Sequence, residues 1–248
     1  MPQIMKSSNP ALNGRVFQGH PFALEERMSL DGTVNKTGIL LLCSVATAAF
    51  AWHTFMQTRN VAELSAMLWI GLIGGLIFAM VTIFKQTWAP VTAPVYALLE
   101  GLVLGSLSAV LELRFPGIAM QAVGMTFGVL FVMLLLYRSH IIPVTQKLRM
   151  GIVAATGAIM LFYIAEMILG FFGVHFGLIN GSGPIGIGFS VVVVAIAAFN
   201  LILDFDFIER GVRAGAPKYM EWYGAFGLMV TLVWLYLEII RLLAKLRD

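Results

Sequence analysis

The sequence predicts an all-α fold, a polytopic membrane bundle of about seven transmembrane helices. Three observations carry this. Hydrophobic residues make up 59% of the 248 positions and charged residues only 12%, with mean hydropathy +0.89. A water-facing domain carries roughly 25% charged residues, so this chain lacks the charge to cover such a surface, and a lipid-facing one needs none. The apolar residues gather into seven runs near the ~20-residue length that a bilayer demands. The pieces between the runs are short.

The runs are Ile39–Met56, Ala66–Phe84, Ala93–Leu111, Gly117–Tyr137, Gly151–Val174, Gly183–Leu203 and Trp222–Leu243. Lipid satisfies no backbone polar group, so each run is expected to be helical and each break to lie near an interface. Residues 1–36 read as a polar, cytoplasmic N-terminal tail, mixed in character and without the order of a secretory signal. Residues 37–248 read as one transmembrane domain. Basic residues set orientation. With seven spans, the N-terminal side holds eleven, from Lys6 through Lys36, Lys85, Arg138, Lys147 and Arg149 to Arg210, Arg213 and Lys218. The other side holds five, Arg59, Arg114, Arg241, Lys245 and Arg247. The bias favours a cytoplasmic N-terminus. Six spans and a re-entrant segment would instead put both ends on one side.

Small residues four apart let membrane helices approach closely. Gly71/Gly75, Gly101/Gly105 and Gly124/Gly128 are therefore expected packing faces of the second, third and fourth spans. Cys43 is the one cysteine, which excludes an intrachain disulfide or a cysteine metal site.

Functional weight falls on acids placed where lipid penalises charge. An ionisable group at the bilayer centre costs about 2.5–3.5 kcal/mol on insertion scales, so it faces the bundle interior, finds a partner or is protonated. Glu100 lies mid-way in the third span with Tyr96 one turn before it. Glu166 lies well inside the fifth, near Tyr163. Asp204 closes the sixth run with Asn200 one turn earlier on its face, whereas Asp206 is about 200° further round and points toward water or headgroups. Glu238 sits in the last run, two turns past Thr231 on the same stripe. Glu100 and Glu166 also read as protonated packing residues, Asp204 as an interfacial acid, and Glu238 as a partner of Arg241. Taken together, acids with few basic partners inside the membrane suit cation binding or proton sensing.

Other seven-helix and intramembrane chemistries lack their residues. A retinal Schiff base needs a lysine mid-way in the last helix, and Lys245 stands at its end. No Gly-x-Gly-Asp of an aspartyl protease occurs, and Asn180-Gly181-Ser182-Gly183 falls short of the rhomboid Gly-x-Ser-Gly. His20, His53, His140 and His175 have no metal-ligand spacing, and no phosphate loop appears. The expectation is a protein that is not an enzyme, holds no tight cofactor and binds no nucleic acid.

YALLEGLVLG at Tyr96–Gly105, GPIGIGFSVVVVAIAAFNLILDFDFIE at Gly183–Glu209 and the ending LYLEIIRLLAKL resemble the bacterial branch of the Bax inhibitor-1 family, also called the transmembrane Bax inhibitor motif family. The resemblance spans Thr37 to the C-terminus. It implies a seven-helix bundle with the last helix central, a bacterial inner membrane, and a pH-sensitive calcium leak; animal relatives suppress cell death. In that family an aspartate ending the sixth helix shares a proton with one in the seventh, under the influence of a basic residue in the second. Asp204 is the counterpart of the first, and would be the ligand for a passing calcium ion. For the second, matching LYLE selects Glu238, and matching the terminal arginine-dileucine selects Thr231. Lys85 is the candidate basic residue. Two readings follow: a proton-gated calcium leak or channel, and a non-transporting membrane protein that modulates a membrane protease or stress-response partner.

Overall fold

The computed structural model describes residues 27–173 and 181–248; most of the tail, His20, His175 and Asn180 lie outside the described residues. Seven helices among them are long and apolar enough to cross a membrane: α1 Leu30–Thr58, α2 Val61–Phe84, α3 Ala89–Arg114, α4 Ile118–Arg138, α5 Gln146–Phe171, α6 Pro184–Arg213 and α7 Met220–Arg247.

The helices outrun the apolar runs because capping and charge pairs extend them. Helix α1 begins at Leu30, inside what reads as tail, because the Ser29 side chain accepts from Gly32 N and satisfies an otherwise orphaned N–H. It ends at Arg59 in the left-handed region (φ 51°), and Asn60 then caps α2. A link this short makes α1 and α2 an antiparallel hairpin. Gly117, at φ 82°, does the same between α3 and α4; a side chain there would be strained. Helix α6 continues ten residues past Leu203 to Arg213. Its last turns are held by the i,i+4 ion pairs Arg210–Asp206 (2.8 Å) and Arg213–Glu209, a spacing that stabilises helices.

Helix α7 lies between two packed groups. One of its faces presents Ala225, Phe226, Met229 and Val233 to Leu40 of α1 and to Ala93, Tyr96 and Ala97 of α3. Another presents Leu228, Leu232, Leu235 and Ile239 to Ile118 and Ala122 of α4 and Ala197 and Leu201 of α6. Accordingly 67% of its apolar window is buried, against 11% for α5, which packs chiefly on α6. Helix α2 packs on α3 and, less extensively, on α1.

Lipid removes the hydrophobic drive for helix association, leaving close packing and hydrogen bonds. Two of the three expected glycine faces are used. A Cβ at Gly101 would collide with the Ser44 carbonyl and Thr47 Oγ1, one at Gly105 with Ala48 O, and one at Gly71 would lie 2.6 Å from Leu99 O. At Gly124 and Gly128 a Cβ would meet nothing within 4 Å. Those two glycines are no packing face among the described residues, because the side of α4 that bears them meets no neighbouring helix there.

An odd number of spans puts the two ends of the chain on opposite sides. A reporter fused after Arg149, which precedes two further complete spans and most of α5, is therefore expected to lie on the side opposite one fused after Asp248. Alkaline phosphatase and green fluorescent protein fusions at both points check this; equal behaviour would mean that one helix does not cross.

Candidate functional site

The acids singled out from the sequence separate into three places. Asp204 lies nine residues before the end of α6, about 13 Å at 1.5 Å per residue, so it does not close the helix as its position after the apolar run implies. The buried Leu201 and Ile202 precede it and Ile208 follows it, which turns this face toward α7. There Asp204 is neighboured by Thr231, itself buried. Asp204 Oδ2 is buried and has no hydrogen-bond partner among the described residues. Beside it is a cleft of about 230 Å³ bounded by Asp204, Phe207, Tyr223, Gly224, Phe226 and Gly227. A buried polar atom without a partner is unusual enough to call for a reason.

Glu238 is elsewhere. It stands seven residues beyond Thr231, about 10 Å along α7, and is bound by Arg241 Nη1 (2.9 Å to Oε1, 3.1 Å to Oε2) and by Tyr163 Oη of α5 (3.0 Å). The Arg241 guanidinium also sits over the Tyr163 ring, 5.1 Å from its centroid. One turn further on, Lys245 Nζ donates to Gly186 O (3.1 Å) and Ser190 Oγ (2.9 Å) of α6. Glu166 of α5 belongs to the same electrostatic neighbourhood. Glu238 thus pairs with Arg241, as one of its two sequence readings had it, and Lys245 adds near Glu238 and Glu166 a cation that the sequence did not place there. Both cations read as interfacial residues; Lys245 is buried against α6, while Arg241 stays exposed and reaches across to Tyr163 of α5. Glu238→Gln is therefore expected to leave any pH dependence of flux unchanged while lowering the unfolding temperature, since it removes the charge that holds Arg241. Thermal unfolding and liposome flux on one preparation measure both.

Glu100 is half-buried between α2 and α3, below Gly75 and beside Tyr96, whose ring in turn meets Phe226 edge-on at 5.0 Å. Asn200, one turn before Asp204, donates to Thr156 Oγ1 of α5 (2.8 Å) and to Ile196 O (2.9 Å), so it ties α6 to α5. Asp206 does not point to water. It pairs with Arg149 of α5 (2.7 Å) as well as Arg210, because α5 supplies a cation on that side. Lys85 stacks over Trp88 at the end of α2.

One buried acid escaped the sequence reading. Glu221, in the first turn of α7, is 1% exposed; it accepts from Ser29 N and Ser29 Oγ, both at 2.9 Å, and pairs with Lys36. An acid in a first turn looks like an ordinary complement to the helix dipole, and no sequence spacing links it to residues some 190 positions away.

Calcium prefers six to eight oxygen ligands. At Asp204 the side-chain donors are one carboxyl group and the Thr231 hydroxyl, and among the described residues no group of three or more His, Cys, Asp or Glu could hold a metal ion. These donors fall short of the ligand set of a resident calcium ion.

Searches of the curated proteins and of the solved structures give no match. Residues 9–248 match the family described as Bax inhibitor 1 like. With seven membrane-length helices and nearly the whole chain covered, the protein is a multi-pass membrane protein that belongs to the Bax inhibitor-1-like family.

Proposed function

We propose that this protein is a pH-sensitive leak pathway for cations, calcium among them, in a bacterial inner membrane with its N-terminal side cytoplasmic. One observation carries the reading: Asp204 Oδ2 is buried at the α6–α7 contact without a hydrogen-bond partner among the described residues. A neutral carboxylic acid tolerates that position. An ionised one does not, because burying an unpaired charge costs several kcal/mol; ionisation would favour separation of α6 from α7, entry of water, and attraction of a cation. The weak ligand set suits conduction, which needs binding loose enough for release. Proton loss opens in this scheme, so flux rises with pH. Eleven basic residues on the N-terminal side against five on the other support the orientation.

A second reading has its own observation. Thr231, and not an acid, faces Asp204, so the chain lacks a carboxylate pair there. That favours a non-transporting protein that modulates a membrane protease or a stress-response partner. Reconstitution with a calcium dye, from about pH 6 to about pH 8, separates the two: calcium entry that grows with pH supports the leak, and no entry at any pH leaves the interaction reading.

A further inference from the structure

We infer that the cleft beside Asp204 is a binding site for a small organic ammonium ion. Three of its six bounding residues are aromatic and run ring to ring: Phe207 lies 6.2 Å from Tyr223, and Tyr223 lies 6.3 Å from Phe226, centroid to centroid. Tyr96 braces Phe226 from behind. A fourth is Asp204, whose Oδ2 has no hydrogen-bond partner among the described residues. The remaining two are glycines. A Cβ at Gly227 would meet nothing within 4 Å, so the missing side chain is what leaves the space open. At Gly224, Ile208, Met28 and Thr33 close in to 3.1–3.4 Å of that same position and wall off one side.

The ligand class follows from what these walls offer. Aromatic faces carry negative potential and attract cations, most effectively those whose charge is spread over methyl or methylene groups. The only side-chain oxygens among the six are those of Asp204 and Tyr223, far short of the shell a calcium ion needs. An anion would be repelled by the ionised carboxylate, and a neutral apolar molecule would leave the acid unpaired. An alkylammonium donates a hydrogen bond to the carboxylate, a quaternary ammonium balances its charge, and both are attracted by the rings. The shared chemistry has two sources, a free amine or an ethanolamine or choline lipid headgroup.

The inference names a ligand class for the site of the leak reading, and rests on that reading only for its consequence that a seated ammonium slows cation flux. Binding is measured separately. The full chain in maltoside detergent, which carries no ammonium, is unfolded thermally with tetramethylammonium chloride against sodium chloride at equal ionic strength. A saturable rise in unfolding temperature is expected. Asp204→Asn should abolish it, Gly227→Leu should abolish it by filling the cleft, and Phe226→Leu should weaken binding roughly fivefold, the scale of one cation–π contact. No rise in the wild type, or a rise that survives both Gly227→Leu and Phe226→Leu, overturns the inference, including where Asp204→Asn fails to fold. Repeating the titration in phosphatidylglycerol vesicles with and without phosphatidylethanolamine identifies the source: competition by the ethanolamine lipid assigns the site to a headgroup, and equal binding assigns it to a free amine. Ammonium binding without calcium flux retains the site and removes the leak; pH-dependent flux without ammonium binding does the reverse.

Discussion

Asp204→Asn is expected to flatten the dependence of cation flux on pH. The amide has nearly the shape of a protonated carboxyl group and cannot ionise, so the variant should stay at the low-flux level of the acid form throughout. The wild type should rise by several-fold over the same interval, with at most about tenfold per pH unit available from one proton. Two other acids of the last two helices are already held by cations. Glu238 is held by Arg241 and Tyr163, and Asp206 by Arg149 and Arg210. Flux through the Asp204→Asn variant that still climbs with pH would move the sensor to another group. Thr231→Asp is the complementary experiment, since it rebuilds a carboxylate pair at the α6–α7 contact. Two such neighbours cannot both ionise easily, so the variant should titrate in two separated steps.

Gly101→Leu is expected to abolish recovery of folded protein. Helices α1 and α3 meet so closely that even a Cβ at Gly101 would overlap the Ser44 carbonyl and Thr47 Oγ1. Backbone cannot move aside as a long side chain can, so the cost should exceed the roughly 1–3 kcal/mol of ordinary overpacking. Gly105→Val should behave alike, as its obstacle is the Ala48 backbone. Gly124→Ala and Gly128→Ala, in open space, should stabilise slightly, since alanine is the better helix residue by about 0.5–1 kcal/mol. Size-exclusion profiles and unfolding temperatures of the four variants give the comparison. A folded Gly101→Leu protein would show that α1 and α3 do not pack as described.

The two results bear on different layers of the molecule. Glycine faces hold α1, α2 and α3 together, and the larger side chains of α7 lock that group to α4 and α6. Asp204 sits on the second group, at the end of the bundle where Arg27 to Lys36 reach the start of α7. That end carries buried Glu221 and the cleft, whereas the opposite end closes through Arg114–Asp248 and the Arg247 contacts to Pro116 O and Gln121.

By itself the sequence determined the membrane class, the number of spans and the family, because each rests on a local quantity. Seven apolar runs set seven helices by bilayer thickness, and the stretches around Tyr96, Asp204 and Tyr236 carry the family pattern whatever their neighbours. Asp204 was legible for the same reason, as the acid directly after the sixth apolar run. What faces it was not. Glu238 and Thr231 lie on one stripe of α7 two turns apart, and only the axial offset of α6 against α7 selects Thr231. Spacing offered Arg241 as a partner of Glu238, but it could not show that Tyr163 joins that pair, that Lys245 comes near Glu166, or that Lys36 and Ser29 bury Glu221. Whether an acid in a bundle is a charge, a salt bridge or a neutral group depends on what sits within a few ångströms of it, and those neighbours come from helices far apart in the chain.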